Sequence, residues 1–283
     1  MTTSDRRSAL RAGAGLVAGG AFAAACSPSG PPSGTVARHA PASPDPRSAA
    51  PAAGGRTPRA PGSAAPASSP AGSAVAPAPR AFPGQPAQIT HGPRDRSRVA
   101  LTFHGQGEPA IAEALLQEAE RHGARVTVLA VGTWLDEHPG LARRILDGGH
   151  DLGNHTQRHL DINAMSEAEA TAEITGCAER LRRLTGSVGT WFRPSRAARA
   201  SPLVERLARR AGYPHVLSYD VDSLDFTSPG APAVARTILG RVRGGSVVSL
   251  HFGYADTVAA LPAVLDELAR RGLRAVTTTE LIG

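Results

Sequence analysis

The chain of 283 residues has no lysine, only two cysteines, few aromatic residues (4%) and no apolar run long enough to span a bilayer. With Cys26 at the end of a leader-like segment, Cys177 has no intramolecular partner after processing. A folded part without disulfides must rely on its hydrophobic core, and residues 98–283 are enough for one. Cys177 shares a helical pattern with Ile174 and Leu181, which predicts a small buried apolar residue rather than a reactive thiol. A glycine-rich phosphate fingerprint is also missing, because Gly105-Gln106-Gly107 is too short to form one.

Every one of the thirty-one basic residues is arginine, and their distribution decides what the charge means. Ten precede Arg98, against Asp5, Asp45 and Asp95 alone. From Arg98 onward the chain carries twenty-one basic and twenty-one acidic residues. The excess of positive charge therefore belongs to the N-terminal part, and the neutral remainder argues against nucleic-acid binding.

Residues 1–26 read as an export signal: Arg6-Arg7, an apolar stretch over 12–25, then small residues before Cys26. The twin arginine points to the route that exports folded proteins. Ala23-Ala24-Ala25-Cys26 is similar to a bacterial lipoprotein cleavage site, with Ala23 where leucine is usual. Lipidation of Cys26 and plain secretion are the two outcomes, and a lipid at Cys26 is the one membrane attachment expected. Residues 27–97 are rich in Pro, Ala, Ser and Gly and bury too little to order themselves. As a flexible tether they would reach roughly 45 Å.

From Arg98 short apolar runs alternate with helical patterns. Strands are predicted at 99–103, 125–130, 150–154, 190–193, 215–219, 246–251 and 274–277. Helices are predicted at 108–122, 139–147, 166–184, 202–211, 231–242 and 256–271, with Ser166 and Glu169 forming a capping box at the start of the third. This alternation implies parallel strands with right-handed crossovers. His104, His155, Arg193, Asp220, Asp222 and His251 all fall at or just past the C-terminal ends of predicted strands. Contributions from so many strands favour a barrel mouth over an open sheet.

Within Asn154-His155-Thr156-Gln157-Arg158-His159 the two histidines are four positions apart, a spacing that on a helical turn faces one metal ion. The other histidines singled out, His122, His138 and His150, read as structural. Trp134 and Trp191 are expected to pack near the barrel, Trp191 alternatively offering a sugar a stacking face. Asp220 and Asp225 are read either as loop caps or as part of the site.

Taken together, Leu101-Thr102-Phe103, Gly149 to His159, Phe192-Arg193-Pro194, Asp220 to Phe226 and Ser249-Leu250-His251 resemble the NodB-like polysaccharide deacetylases. The resemblance covers the domain over 98–283 and implies a distorted (β/α)7-type barrel. It also implies a hydrolase that uses a divalent metal, zinc first with cobalt or nickel as alternatives, to remove acetyl groups from an N-acetylated glycan. His155 and His159 match the family's metal ligands. His251 matches the general acid, with Asp222 placed beside it to favour the imidazolium, and Arg193 matches the arginine that holds the base.

The first motif departs from the family's Thr-Phe-Asp-Asp-Gly-Pro, for this chain has Thr102-Phe103-His104-Gly105-Gln106-Gly107. His104 is then either the base, an imidazole whose ordinary pKa is about 6.5, or the third metal ligand. Arg193-Pro194-Ser195 likewise lacks the family's tyrosine after proline. The alternatives to a deacetylase are a carbohydrate-binding protein that has lost turnover and an amidase on another carbon-nitrogen bond. A monomer is expected.

Overall fold

The computed structural model describes residues 76–283. The predicted export signal, Cys26 and the tether up to residue 75 lie outside the described residues. Strands β1 (Gln88–Ile89), β2 (Arg98–Gly105), β3 (Thr127–Ala130), β4 (Asp151–Asn154), β5 (Val216–Leu217), β6 (Val221–Asp222), β7 (Val247–His251) and β8 (Arg274–Ala275) pair in parallel. The central order is β4-β3-β2-β7-β6, with β8 on the start of β2 and β1 beside β5.

Phe192 bridges Asn154 on one side and Val216 on the other, which carries the sheet round from β4 to β5. The predicted strand over 190–193 is thus present as a single bridging residue. Gly189 at φ 86 before it and Pro194 after it keep it short. The result is the distorted parallel barrel expected from the sequence.

The helices lie close to their predicted bounds: α1 (Pro109–Arg121), α3 (Gly140–Asp147), α4 (Glu167–Thr185), α5 (Pro202–Arg210), α6 (Ala231–Leu239) and α7 (Ala255–Arg270). The capping box at Ser166 and Glu169 is formed, and α4 ends on Gly186 in the left-handed conformation at φ 80. Two short helices, α2 (Gly132–Glu137) and α8 (Thr278–Ile282), were not anticipated, being too brief to show a helical period. Among the described residues no helix is long and apolar enough to cross a membrane.

The packed domain also begins earlier than Arg98. Ile89 is fully buried in β1, and Phe82 stacks on Trp191 with ring centroids 5.4 Å apart. Residues 76–97 therefore belong to the domain, a correction to the tether boundary; a few apolar residues there were masked by the surrounding proline and alanine.

Strand parity sets the two sides of the sheet. In β2, Val99, Leu101 and Phe103 join the outer core under the helices, whereas Ala100 joins Leu129, Trp191, Leu217 and Val247 inside the barrel. His104 stands in the same column as Ala100 and Thr102. In β7, Val248 and Leu250 face outward, leaving Val247, Ser249 and His251 inside. Trp191 is 2% exposed and plugs this interior, so the stacking-face alternative for it is set aside. Cys177 is buried, and burial pushes its thiol up to about 12.

Candidate active site

The ends of β2 and β7 bring the first two site residues together. His104 and His251 are register partners on neighbouring strands, and their rings stack with centroids 4.3 Å apart. His155 follows β4 directly, its N–H bonded to the carbonyl of Ala130. The loop that carries His159 is not a helical turn, since Thr156 and His159 both have left-handed φ, 69° and 57°. Asn154 holds the loop in that shape. Its Oδ1 accepts from the Thr156 N–H, and its Nδ2 donates to the Ile174 carbonyl and to the Tyr213 hydroxyl oxygen. The two rings still converge, with centroids 4.9 Å apart. The expected pairing of His155 with His159 is therefore reached through a strained loop rather than through helical spacing.

His104, His155 and His159 each offer a ring nitrogen, and these nitrogens lie within 4.8 Å of one another. The proton on each buried ring can be placed by elimination. His155 Nδ1 is 3.0 Å from the carbonyl of Arg193, which only accepts, so this nitrogen carries the proton and Nε2 keeps a lone pair. His104 Nδ1 is 2.7 Å from that Nε2 and donates to it. His104 Nε2 is then the acceptor, 2.9 Å from Ser249 Oγ and 3.4 Å from a guanidinium nitrogen of Arg193.

Arg193 is fully buried. Its other nitrogens donate to the carbonyls of Leu217 and Ser218, and burial lowers its pKa to about 10. The donor set fits a divalent ion in chemistry: imidazoles, one of them oriented through its second nitrogen by a backbone carbonyl, as metal-binding histidines usually are. The His104–His155 spacing is that of a hydrogen bond, shorter than the roughly 3.3 Å between two ligands of one tetrahedral zinc. His104 becomes a ligand only when its Nδ1 gives up that proton.

Burial holds the pKa of His104 and of His155 well below the ordinary value, with neighbouring positive groups acting in the same direction. His159 is lowered to about 4 by burial and by Arg196 and His251. All three are neutral near pH 7, the state in which imidazole binds metal. In an unfolded chain they would protonate near pH 6.5. The unfolded state therefore binds more protons between about pH 6.5 and 4. Stability supplied by the neutral rings is full above that window and is lost as the pH falls through it. Metal-free protein should show a lower urea midpoint at pH 5 than at pH 7, and an unchanged midpoint contradicts buried neutral rings.

The carboxylate beside His251 is Asp225, not Asp222. Asp225 is fully buried, accepts from His251 Nδ1 at 2.7 Å, from the His251 N–H at 2.8 Å and from Thr257 Oγ1 at 2.7 Å. Asp222 lies at the pocket rim and accepts from the Leu224 N–H at 3.1 Å. The reason is local: Leu224 takes a left-handed φ of 57°, and the 3-10 turn Asp225–Thr227 swings Asp225 inward under β7. Asp220 is a cap, bonded to Arg94, Ser246 and the Val247 N–H.

The resulting pocket is about 380 Å³. His104, His159, Asp222, Ser249 and His251 line it with Arg196, Tyr219, Phe226 and Tyr254, four residues that the sequence did not single out. Phe226, 45% exposed, stands edge-on to His251.

Gly105 closes the remaining gap in the first motif. A Cβ there would stand 2.9 Å from Val128 Cγ1 and 3.0 Å from Ala130 Cα, because β2 runs on to pair Gly105 with Ala130. Gly105→Asp should therefore lower stability by about 1–3 kcal/mol through overpacking. A denaturant midpoint equal to that of the unaltered protein contradicts this packing.

Fold and site define a class, a parallel α/β barrel with a histidine cluster able to hold a metal ion at the C-terminal ends of its strands. The resemblance to the NodB-like polysaccharide deacetylases read from the sequence is borne out: a polysaccharide deacetylase profile matches residues 91–216. The chain is 29% identical over 194 residues to a peptidoglycan-N-acetylglucosamine deacetylase of Bacillus cereus, covering 67% of this chain and 90% of that one. Among solved structures it is similar to a peptidoglycan N-acetylglucosamine deacetylase crystallised with an N-hydroxybenzamide compound, at TM-score 0.65 and 25% identity, with 69% of this chain and 92% of that chain covered. It also shares its fold with a pseudoenzyme of the CE4 family from Bacillus anthracis, at TM-score 0.66 and 22% identity, with 70% of each chain covered.

Proposed function

We propose that this protein is an exported, metal-dependent hydrolase that removes acetyl groups from an N-acetylated glycan of the peptidoglycan or chitin type. The observation that carries this reading is the cluster of His104, His155 and His159 beside the Asp225–His251 pair, with His104, His159 and His251 opening onto one pocket. His155 and His159 would hold the divalent ion, zinc, cobalt or nickel, with His104 beside them as third ligand or as base. Such an ion supplies Lewis-acid polarisation of the acetyl carbonyl and a bound water of lowered pKa.

The chain's own residues do the rest. Asp225 fixes His251 through Nδ1, which leaves Nε2 to carry a proton to the departing amine. Arg193 and Ser249 hold His104 at Nε2 and so set which of its nitrogens faces His155. Phe226 and Tyr254 flank His251 and shield it from bulk water. In this proposal residues 1–26 direct export, Cys26 carries a lipid or is removed, and the part of the chain up to about residue 75 tethers the catalytic domain.

A second reading is a carbohydrate-binding protein of the same fold without turnover. It is favoured by the crowded Gly105 and by the His104–His155 hydrogen bond, which occupies a lone pair that a metal would need. One experiment separates the two. Full-length protein should contain stoichiometric metal and release acetate from N-acetylated glycan oligomers; a chelator should stop release, and zinc, cobalt or nickel should restore it. Glycan binding with neither metal nor acetate would establish the second reading.

A further inference from the structure

At the opposite end of the barrel, where the strands start, four arginines converge on a second pocket. Arg98 and Arg274 are register partners on β2 and β8, which sets two like charges side by side. Arg125 lies two residues before β3 and is tied to β8 by its N–H bond to the Ala275 carbonyl. Arg80 reaches the same place from the N-terminal segment, with its guanidinium carbon 4.7 Å from the centre of the Phe82 ring and a bond to the Thr279 carbonyl. The pocket these four line is about 420 Å³.

Its negative charge is incomplete. Glu280 pairs with Arg125, and Arg98 reaches only the backbone carbonyl of Glu280, at 3.2 Å. Among the described residues Arg80, Arg98 and Arg274 have no side-chain ion pair. Gly283 also borders the pocket. Like charges in register destabilise a strand pair unless something neutralises them. Guanidinium forks match oxyanions, and a carboxylate is saturated by one fork, whereas phosphate has enough acceptor oxygens for several.

We propose that this pocket binds a phosphate group, held by Arg98, Arg274 and Arg80 with Arg125 at its edge. The site is distinct from the catalytic pocket, for Arg98 and His104 stand at the two ends of β2, roughly 20 Å apart at the rise of a strand. Ala76 and Pro77, where the described chain begins, border the neighbouring pocket that shares Arg125 and Glu280. The phosphate would be either a free or polymer-borne group or the headgroup of an anionic phospholipid.

The test uses the full chain and the double variant Arg98→Gln/Arg274→Gln. A charge-matched control, Arg206→Gln/Arg209→Gln, alters two exposed arginines of α5. Titration calorimetry with inorganic phosphate should show saturable binding that weakens at least tenfold in the first variant and is unchanged in the control. Sedimentation with phosphatidylglycerol vesicles, against phosphatidylcholine vesicles, identifies the source. Binding lost selectively in the first variant assigns a lipid headgroup, and phosphate binding without vesicle dependence on the pair assigns a free or polymer-borne phosphate. Circular dichroism of the phosphate-free variant should show an unchanged fold, with a melting temperature equal to or above that of the unaltered protein. Absence of saturable binding to phosphate and to vesicles, or equal loss in both variants, overturns the proposal.

Discussion

If the proposed function holds, His155→Ala should empty the protein of stoichiometric metal and lower acetate release by more than about a hundredfold, a loss already seen when only the groups orienting a ligand are removed. Three features make this residue central. It is fully buried, its Nδ1 proton is committed to the Arg193 carbonyl, and its Nε2 lone pair is aimed at the space shared with His104 and His159. Alanine removes the lone pair and leaves the Arg193 carbonyl without its donor. His104 loses its acceptor at Nδ1 as well. Metal content by elemental analysis and acetate release should fall together, while circular dichroism reports whether the barrel is intact. An alanine variant that keeps both metal and activity removes His155 from the site.

Asp225→Asn has the second largest effect, and it separates Asp225 from Asp222. The carboxylate accepts three bonds, two of them from His251, and has no exposure of its own. Burial acts to raise its pKa, but the bonds from His251 and Thr257 and the attraction of His251 outweigh it, and the net direction is downward. A carboxyl held below its unfolded value stabilises the fold above the unfolded pKa of about 4 and loses that contribution as the pH falls through its folded value. The amide can place its NH₂ against a nitrogen that also donates. His251 then loses its fixed orientation, and kcat should drop by about 10²–10⁴-fold, the range of a general acid. Stability should fall by about 2–4 kcal/mol, less than for a wholly buried ion pair because His251 is partly exposed. Asp222→Asn, with one bond to the Leu224 N–H at the rim, should leave stability nearly unchanged. Equal losses in the two variants would return the pairing to Asp222.

Much of the barrel was legible because parallel strands buried on both faces read as short apolar runs. The helices between them announce themselves by period and caps, as Ser166 and Glu169 do. The segment over 76–97 was not legible. Ile89 and Phe82 are single apolar residues in a proline-rich stretch, and only the space they fill beside Leu217 and Trp191 gives them meaning. The site divides in the same way. His104, His155, Arg193 and His251 all stand at strand ends, and a strand end is something a sequence can mark. The choice among Asp220, Asp222 and Asp225 was not marked, because three aspartates within six residues differ only in the turn at Leu224 that points one of them inward.

The sequence by itself determined that histidines, an arginine and aspartates would gather at one mouth of a parallel α/β barrel, since strand parity and alternation act locally along the chain. It also determined that the first motif has lost its carboxylates. Only the tertiary structure decided how the survivors pair. His104 meets His155 across strands that are not neighbours in sequence, at hydrogen-bond distance. Asp225 reaches His251 through a left-handed turn. Gly105 sits too close to Ala130 to admit a side chain without displacement. Each of these depends on packing between distant segments, and distances of a few tenths of an ångström there separate a shared proton from a shared metal ion.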